Sequence, residues 1–183
     1  MNSVRESVRD KSPYKRGADD GIWMGLVLIV LFLAVTQSLH SVLASWLSWG
    51  IALGGVPGLT YFFLKRSYDK DNGLTYFSSL WMQGIAFFFC GTLLLALFVY
   101  LYMRVINPTF MITQLSEIAD LYKATGTANG IQISDTIHAM IEQNLVPSAI
   151  SIGIETIWVG VFTGSLLSAL MALLVRARKK QLT

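Results

Sequence analysis

The sequence predicts an all-α polytopic membrane protein, with four transmembrane helices and a short helical extramembrane hairpin between spans three and four. Three observations carry that prediction. The 183 residues are 54% hydrophobic and only 14% charged, too apolar for an ordinary soluble domain. The apolar residues are gathered into long blocks instead of being spread at amphipathic spacing. The basic residues fall between alternate blocks, which is how a polytopic chain records its orientation.

A helix needs about 20 apolar residues to cross a hydrocarbon core of about 30 Å. The first block runs from Gly21 to about Leu39, through Leu26-Val27-Leu28-Ile29-Val30-Leu31-Phe32-Leu33. A signal peptide is the other reading of this block, with Val42-Leu43-Ala44 as the small-residue cleavage site. Against it, the stretch exceeds the h-region length of about 7–15 residues. Four acidic residues also precede it. The second block runs from about Leu43 to Leu64, the third from about Leu80 to Ile106, and the fourth from about Ser148 to Val175. The chain then divides into an N-terminal tail (1–20), a transmembrane hairpin (21–64), a link (65–79), span three (80–106), a polar segment (107–147), span four (148–175) and a basic tail (176–183).

Lys and Arg accumulate in cytoplasmic loops, so their placement sets orientation. The N-terminal tail holds Arg5, Arg9, Lys11, Lys15 and Arg16, the link holds Lys65, Arg66 and Lys70, and the C-terminal tail holds Arg176, Arg178, Lys179 and Lys180. The turn at His40-Ser41 has neither residue type, and the 107–147 segment has only Lys123 against Glu117, Asp120, Asp135 and Glu142. Four spans put all three basic segments on one side. Both termini are therefore expected in the cytoplasm and the 107–147 segment on the opposite side of the membrane.

Asn107-Pro108 reads as a helix stop. Phe110, Met111, Leu115, Ile118, Leu121 and Tyr122 then recur at helical spacing and predict one amphipathic helix, punctuated by Gly126 and Asn129-Gly130. A second short helix is expected from Ser134 to about Asn144, capped by Ser134 or Asp135. Pro147 suits the first turn of span four. Two faces this small make no independent core; they read as an interfacial hairpin or as a docking surface.

Helices in lipid gain little from apolar burial against one another, so small residues that permit close approach become the packing signal. Span two carries Gly50, Gly54 and Gly58 at four-residue steps, beside Gly55 and Pro57, and span four carries Gly160, Gly164, Ser168 and Ala172. Both series read as packing within the bundle or as a dimer interface. Pro57 and its glycines are expected to kink span two.

An ionisable group inside a bilayer is expensive and is a functional hypothesis by default. Glu155 lies about 10 Å into span four by helical rise. Arg104, near the outer end of span three, is placed to meet it. The pair Arg104–Glu155 reads as an intramembrane ion pair, and the other reading makes Glu155 a proton-carrying carboxylate. Gln83 is placed to bond another helix or reach headgroups. Asp69, Lys70 and Asp71 read as a solvated turn leading to Asn72-Gly73, the expected contact for a soluble partner. Trp23, Trp46, Trp49, Trp81 and Trp158 fall mostly near the expected interfaces.

The single cysteine, Cys90, forms no intramolecular disulfide and reads as a small buried hydrophobe. His40 and His138 are far apart with no ligand spacing around them, so no metal site is expected. There is no Walker loop, no Gly-x-Ser-x-Gly, no His-Glu-x-x-His and no paired carboxylates. No catalytic residue and no cofactor are expected, and no basic-aromatic run supports nucleic-acid binding.

The stretch from Arg66 through Gly73-Leu74-Thr75-Tyr76-Phe77 to Trp81-Met82-Gln83-Gly84 is followed by Ile106-Asn107-Pro108-Thr109-Phe110, a polar two-helix segment and a Gly-rich last span ending at Arg176–Lys180. In these features the chain resembles the domain of unknown function 4199 family, small membrane proteins found mainly in Bacteroidetes. The resemblance covers most of the chain, with the first span matching in character only. It implies four spans, an inner-membrane location and no assigned catalytic residues. It also implies an accessory role beside a polyprenyl-phosphate glycosyltransferase. The leading expectation is a non-enzymatic accessory or scaffold subunit whose partners are membrane lipids, such a membrane protein, or a second copy. The alternative is a small oligomeric transporter or lipid-handling protein that uses Glu155.

Overall fold

The computed structural model describes residues 12–39 and 41–180, the side chains of 178–180 excepted. Arg5, Arg9, Lys11 and His40, and the side chains of Arg178, Lys179 and Lys180, lie outside the described residues. The described residues form helices joined by short turns, with no strand among them.

Helix α1 spans Pro13–Thr36. Ser12 caps it by accepting from the Lys15 amide at 3.4 Å, and Pro13 occupies the first turn, where its missing N–H costs nothing. The helix therefore begins ahead of Gly21, inside the stretch read as a tail. At 24 residues it is about 36 Å long, more than the hydrocarbon requires, and its charged first turns need not enter lipid.

Span two is one continuous path of three pieces: α2 (Val42–Gly50), a π-helical turn (Ile51–Gly55) and α3 (Val56–Lys70). Ser41 caps α2 through the Ala44 amide at 3.4 Å. The Val56 amide donates to the Ile51 carbonyl, one residue beyond the α-helical partner. Pro57 follows at once and would press its ring on the carbonyl four residues back. The wider turn takes up that conflict where a kink was expected.

Asn72 and Gly73 turn the chain with φ of 55° and 74°. The next helix, α4 (Phe77–Leu101), passes into a second π turn, Tyr102–Ile106, closed by the Asn107 amide on the Tyr102 carbonyl at 2.8 Å. Then come α5 (Phe110–Ala124), α6 (Ala128–Glu142) and α7 (Ala149–Lys180). Pro147 stands just outside α7, and Ser148 caps it through the Ser151 amide at 3.2 Å.

The chain forms two compact units, one of residues up to Ala96 together with Thr156 onward, the other Leu97–Glu155. In the first, Met24, Val56, Phe63, Phe87 and Phe88 make one buried cluster, with Phe63 and Phe87 ring centroids 5.5 Å apart. A second cluster joins Leu64, Tyr68, Leu80, Ala172 and Val175. α4 is its hub. Gly91 of α4 meets Met24 and Gly25 of α1, Phe87 meets Phe63 of α3, and Gly84, Phe88 and Thr92 meet Ser168, Gly164 and Gly160 of α7. Arg16 meets Asp71, and Leu80 shares a cluster with Leu64 and Val175. The start of α1, the end of α3, the start of α4 and the later part of α7 thus gather at one end.

In the second unit α5 and α6 pack on each other around Thr125–Thr127. Gly126 adopts a φ of 65° that terminates α5. The second helix does not start at Ser134. Thr127 caps it by accepting from the Gly130 amide at 3.1 Å, and Ser134 is a fully buried residue within it. Asn129-Gly130 therefore sits in the first turn of α6 instead of breaking the chain. A side chain at position 130 would collide with Thr125 and the Tyr122 carbonyl.

Candidate functional site

Most of the polar side chains of the first unit that tie its helices together converge on its gathered end. Asp71 caps the end of α3 and receives Arg16 Nη1 at 2.7 Å and Thr75 Oγ1 at 3.0 Å on the same oxygen, Oδ2. The Arg16 hydrogen bond, reinforced by Thr75 and by the charges of Arg16 and Lys70, holds the Asp71 carboxyl below its ordinary range against the opposing effect of burial. Arg16 lies near the N-terminus of α1, where the helix dipole disfavours a cation, so the carboxylate offsets an otherwise poor position. The turn read as fully solvated is thus fastened at Asp71, while Asp69 and Lys70 remain exposed.

Two further bonds join the helices beside this clamp. Gln83, 3% exposed, donates from Nε2 to Ser67 Oγ at 2.7 Å, tying α4 to α3. Trp81 Nε1 donates to the Ser165 carbonyl at 3.1 Å, tying α4 to α7, and Phe77 stacks on the indole. Trp81 is therefore a crosslink as well as an aromatic near an interface.

Outside the clamp, one face of α3 is open. Phe62, Lys65, Arg66, Asp69 and Lys70 recur at helical spacing and line a groove of ≈ 520 Å³. Phe62 is 58% exposed and the four charged residues are exposed. Among the described residues no ion pair within 4.0 Å engages Lys65, Arg66 or Lys70.

The two small-residue series named from the sequence have opposite fates. Gly160 seats Thr92, Gly164 seats Phe88, and Ser168 seats against Gly84 with no room for a larger residue. A methyl group at Gly50, Gly54 or Gly58 would meet nothing within 4 Å. Only 11% of the most apolar stretch of span two is buried, against 39% for span three. A third series went unread. Gly17, Gly21 and Gly25 of α1, at four-residue steps, lie against Gln83, Cys90, Gly91 and Leu94 of α4. Its spacing was visible, but Gly17 stood among charges and outside the first apolar block.

Arg104 and Glu155 are both exposed, and among the described residues no ion pair within 4.0 Å joins them. Arg104 falls in the π turn that ends span three, and Glu155 lies about 9 Å along α7 from Ala149. Among the described residues no three of His, Cys, Asp and Glu come together as metal ligands would.

Four helices, Pro13–Thr36, Val42–Lys70, Phe77–Ile106 and Ala149–Ala177, are long and apolar enough to cross a membrane. That is the build of a multi-pass membrane protein. Residues 19–177 match the model of the family described as "Protein of unknown function (DUF4199)", and the chain belongs to that family. No curated protein and no solved structure matches the chain.

Proposed function

We propose that this protein is a non-enzymatic accessory or scaffold subunit of a bacterial inner membrane, with both termini in the cytoplasm. One observation carries the reading: the glycine face of span two is left open while the corresponding faces of α1 and α7 are filled by α4. Small residues on a lipid-facing helix let a partner helix approach closely enough for dispersion and Cα–H···O contacts. The family resemblance makes a polyprenyl-phosphate glycosyltransferase the partner to look for.

The test is gentle extraction of a tagged copy at native expression, with mass spectrometry of what co-purifies. Wild type is expected to bring down a stoichiometric membrane protein, and Gly54→Leu/Gly58→Leu is expected to lose it at unchanged thermal stability. Co-purification that ignores those substitutions would overturn the reading.

A second reading, an oligomeric transporter or lipid-handling protein, is favoured by Glu155. An exposed carboxylate inside an apolar helix, not ion-paired to Arg104 within 4.0 Å, calls for a partner group from another chain. A homo-oligomer carrying lipid, in place of a foreign partner, would support this reading in the same experiment.

A further inference from the structure

The groove on α3 has a chemistry that the partner reading does not use. Its five lining residues all come from one exposed face of α3. From Trp46, 74% exposed at the other end of span two, to Lys65 the helical rise is about 28 Å. That matches a hydrocarbon core of about 30 Å. Lys65 and Arg66 then stand at the hydrocarbon boundary, Phe62 one turn inside it, and Asp69 and Lys70 one turn outside. The order along the helix is apolar ring, two cations, then a carboxylate and a third cation. A phospholipid presents the same order, acyl chain, phosphate, then polar headgroup.

Charge decides which phospholipid. Three cations share the groove with one carboxylate, Asp69, and the neighbouring Asp71 is already paired with Arg16 at 2.7 Å. A net positive groove, in which no ion pair among the described residues engages Lys65, Arg66 or Lys70, favours a headgroup with no cation to compete for the phosphate. The helix dipole explains a cation at Lys70 in the last turn of α3, but not Lys65 and Arg66, a turn earlier.

We propose that this groove is a binding site for one anionic glycerophospholipid, such as phosphatidylglycerol. Lys65 and Arg66 take its phosphate, Lys70 adds long-range attraction, and Phe62 lies along the first carbons of an acyl chain. An Arg guanidinium donates two parallel bonds to a phosphate, and a Lys adds a point charge. Clusters of Lys and Arg at a membrane boundary recognise anionic lipid in this way.

The full chain purified in detergent from mixed phosphatidylglycerol and phosphatidylethanolamine vesicles tests this, by native mass spectrometry of the retained lipids. Wild type is expected to hold phosphatidylglycerol enriched about fivefold over its bulk share, the scale of one cation's attraction to an anionic headgroup. Lys65→Gln/Arg66→Gln/Lys70→Gln is expected to retain the two lipids at the bulk ratio. Lys65→Arg/Lys70→Arg, which keeps the charge and the fold, is expected to preserve the enrichment. Wild-type retention at the bulk ratio would overturn the proposal. So would full enrichment in the triple Gln variant, or stripping of the lipid by inorganic phosphate, which would mark a free-anion site. Because the readout needs no protein partner, its outcome is independent of the accessory-subunit reading.

Discussion

Asp71 is the centre of the clamp at the polar end. Its carboxylate takes two hydrogen bonds on one oxygen, from Arg16 at the start of α1 and Thr75 just ahead of α4. Removing its charge leaves Arg16, near a helix N-terminus, without the carboxylate that now holds it at 2.7 Å. Asp71→Asn is expected to cost about 1 kcal/mol, the range of a partly exposed charge-assisted bond, read as a lowered melting temperature in detergent. The pH dependence follows from the direction of the shift. The Asp71 carboxyl is depressed in the folded state, so its contribution is present above the unfolded carboxylate value of about 4. It is lost as pH falls through the lower folded value. Wild type should therefore lose stability below about pH 4 more steeply than Asp71→Asn does. Parallel acid profiles would show that the clamp contributes nothing.

At the level of helices, the lesson lies in three glycine series with the same spacing. Gly17, Gly21 and Gly25 receive α4, Gly160 and Gly164 receive it too, and Gly50, Gly54 and Gly58 receive nothing from this chain. Gly21→Leu is expected to destabilise the protein by about 1–3 kcal/mol, because the new side chain must displace Cys90 and the Phe87 carbonyl. Gly54→Leu should change stability by no more than about 0.5 kcal/mol. Thermal melts of the two variants, side by side, check both. The four long apolar helices were legible in the sequence because length and apolarity alone specify them, as in Leu26–Leu33. Which small-residue face meets which helix was not, since the signal is symmetric and the partner is chosen in three dimensions. The same limit hid the polar end. Nothing local to Gln83 names Ser67, and nothing local to Arg16 names Asp71. The cap at Thr127 was missed because Asn129-Gly130 looks like a break, whereas glycine is there to let α5 and α6 meet.

For the molecule as a whole, the convergence of four helix ends brings Lys15, Arg16, Lys65, Arg66, Lys70 and Arg176 toward one end of the first unit. A chain arranged that way obeys the rule that cytoplasmic ends carry the excess of Lys and Arg. Reporter fusions at each terminus are expected to read cytoplasmic, and a reporter or labelled cysteine placed between Ala124 and Ala128 is expected to read periplasmic. A terminus found outside would show that one of the four helices does not cross.

The hub position of α4 also has a consequence for assembly. Translation delivers α1 and both pieces of span two before any residue of α4 exists, so the glycine face of α1 is made long before the surface it fits. The Arg16–Asp71 pair needs only residues already synthesised by the time Asp71 emerges. It can hold the first hairpin shut beside the turn from which α4 grows, so that α4 enters next to its cognate face. On this view the clamp also acts during biogenesis, and its loss should lower the yield of correctly inserted protein as well as the stability of the finished bundle.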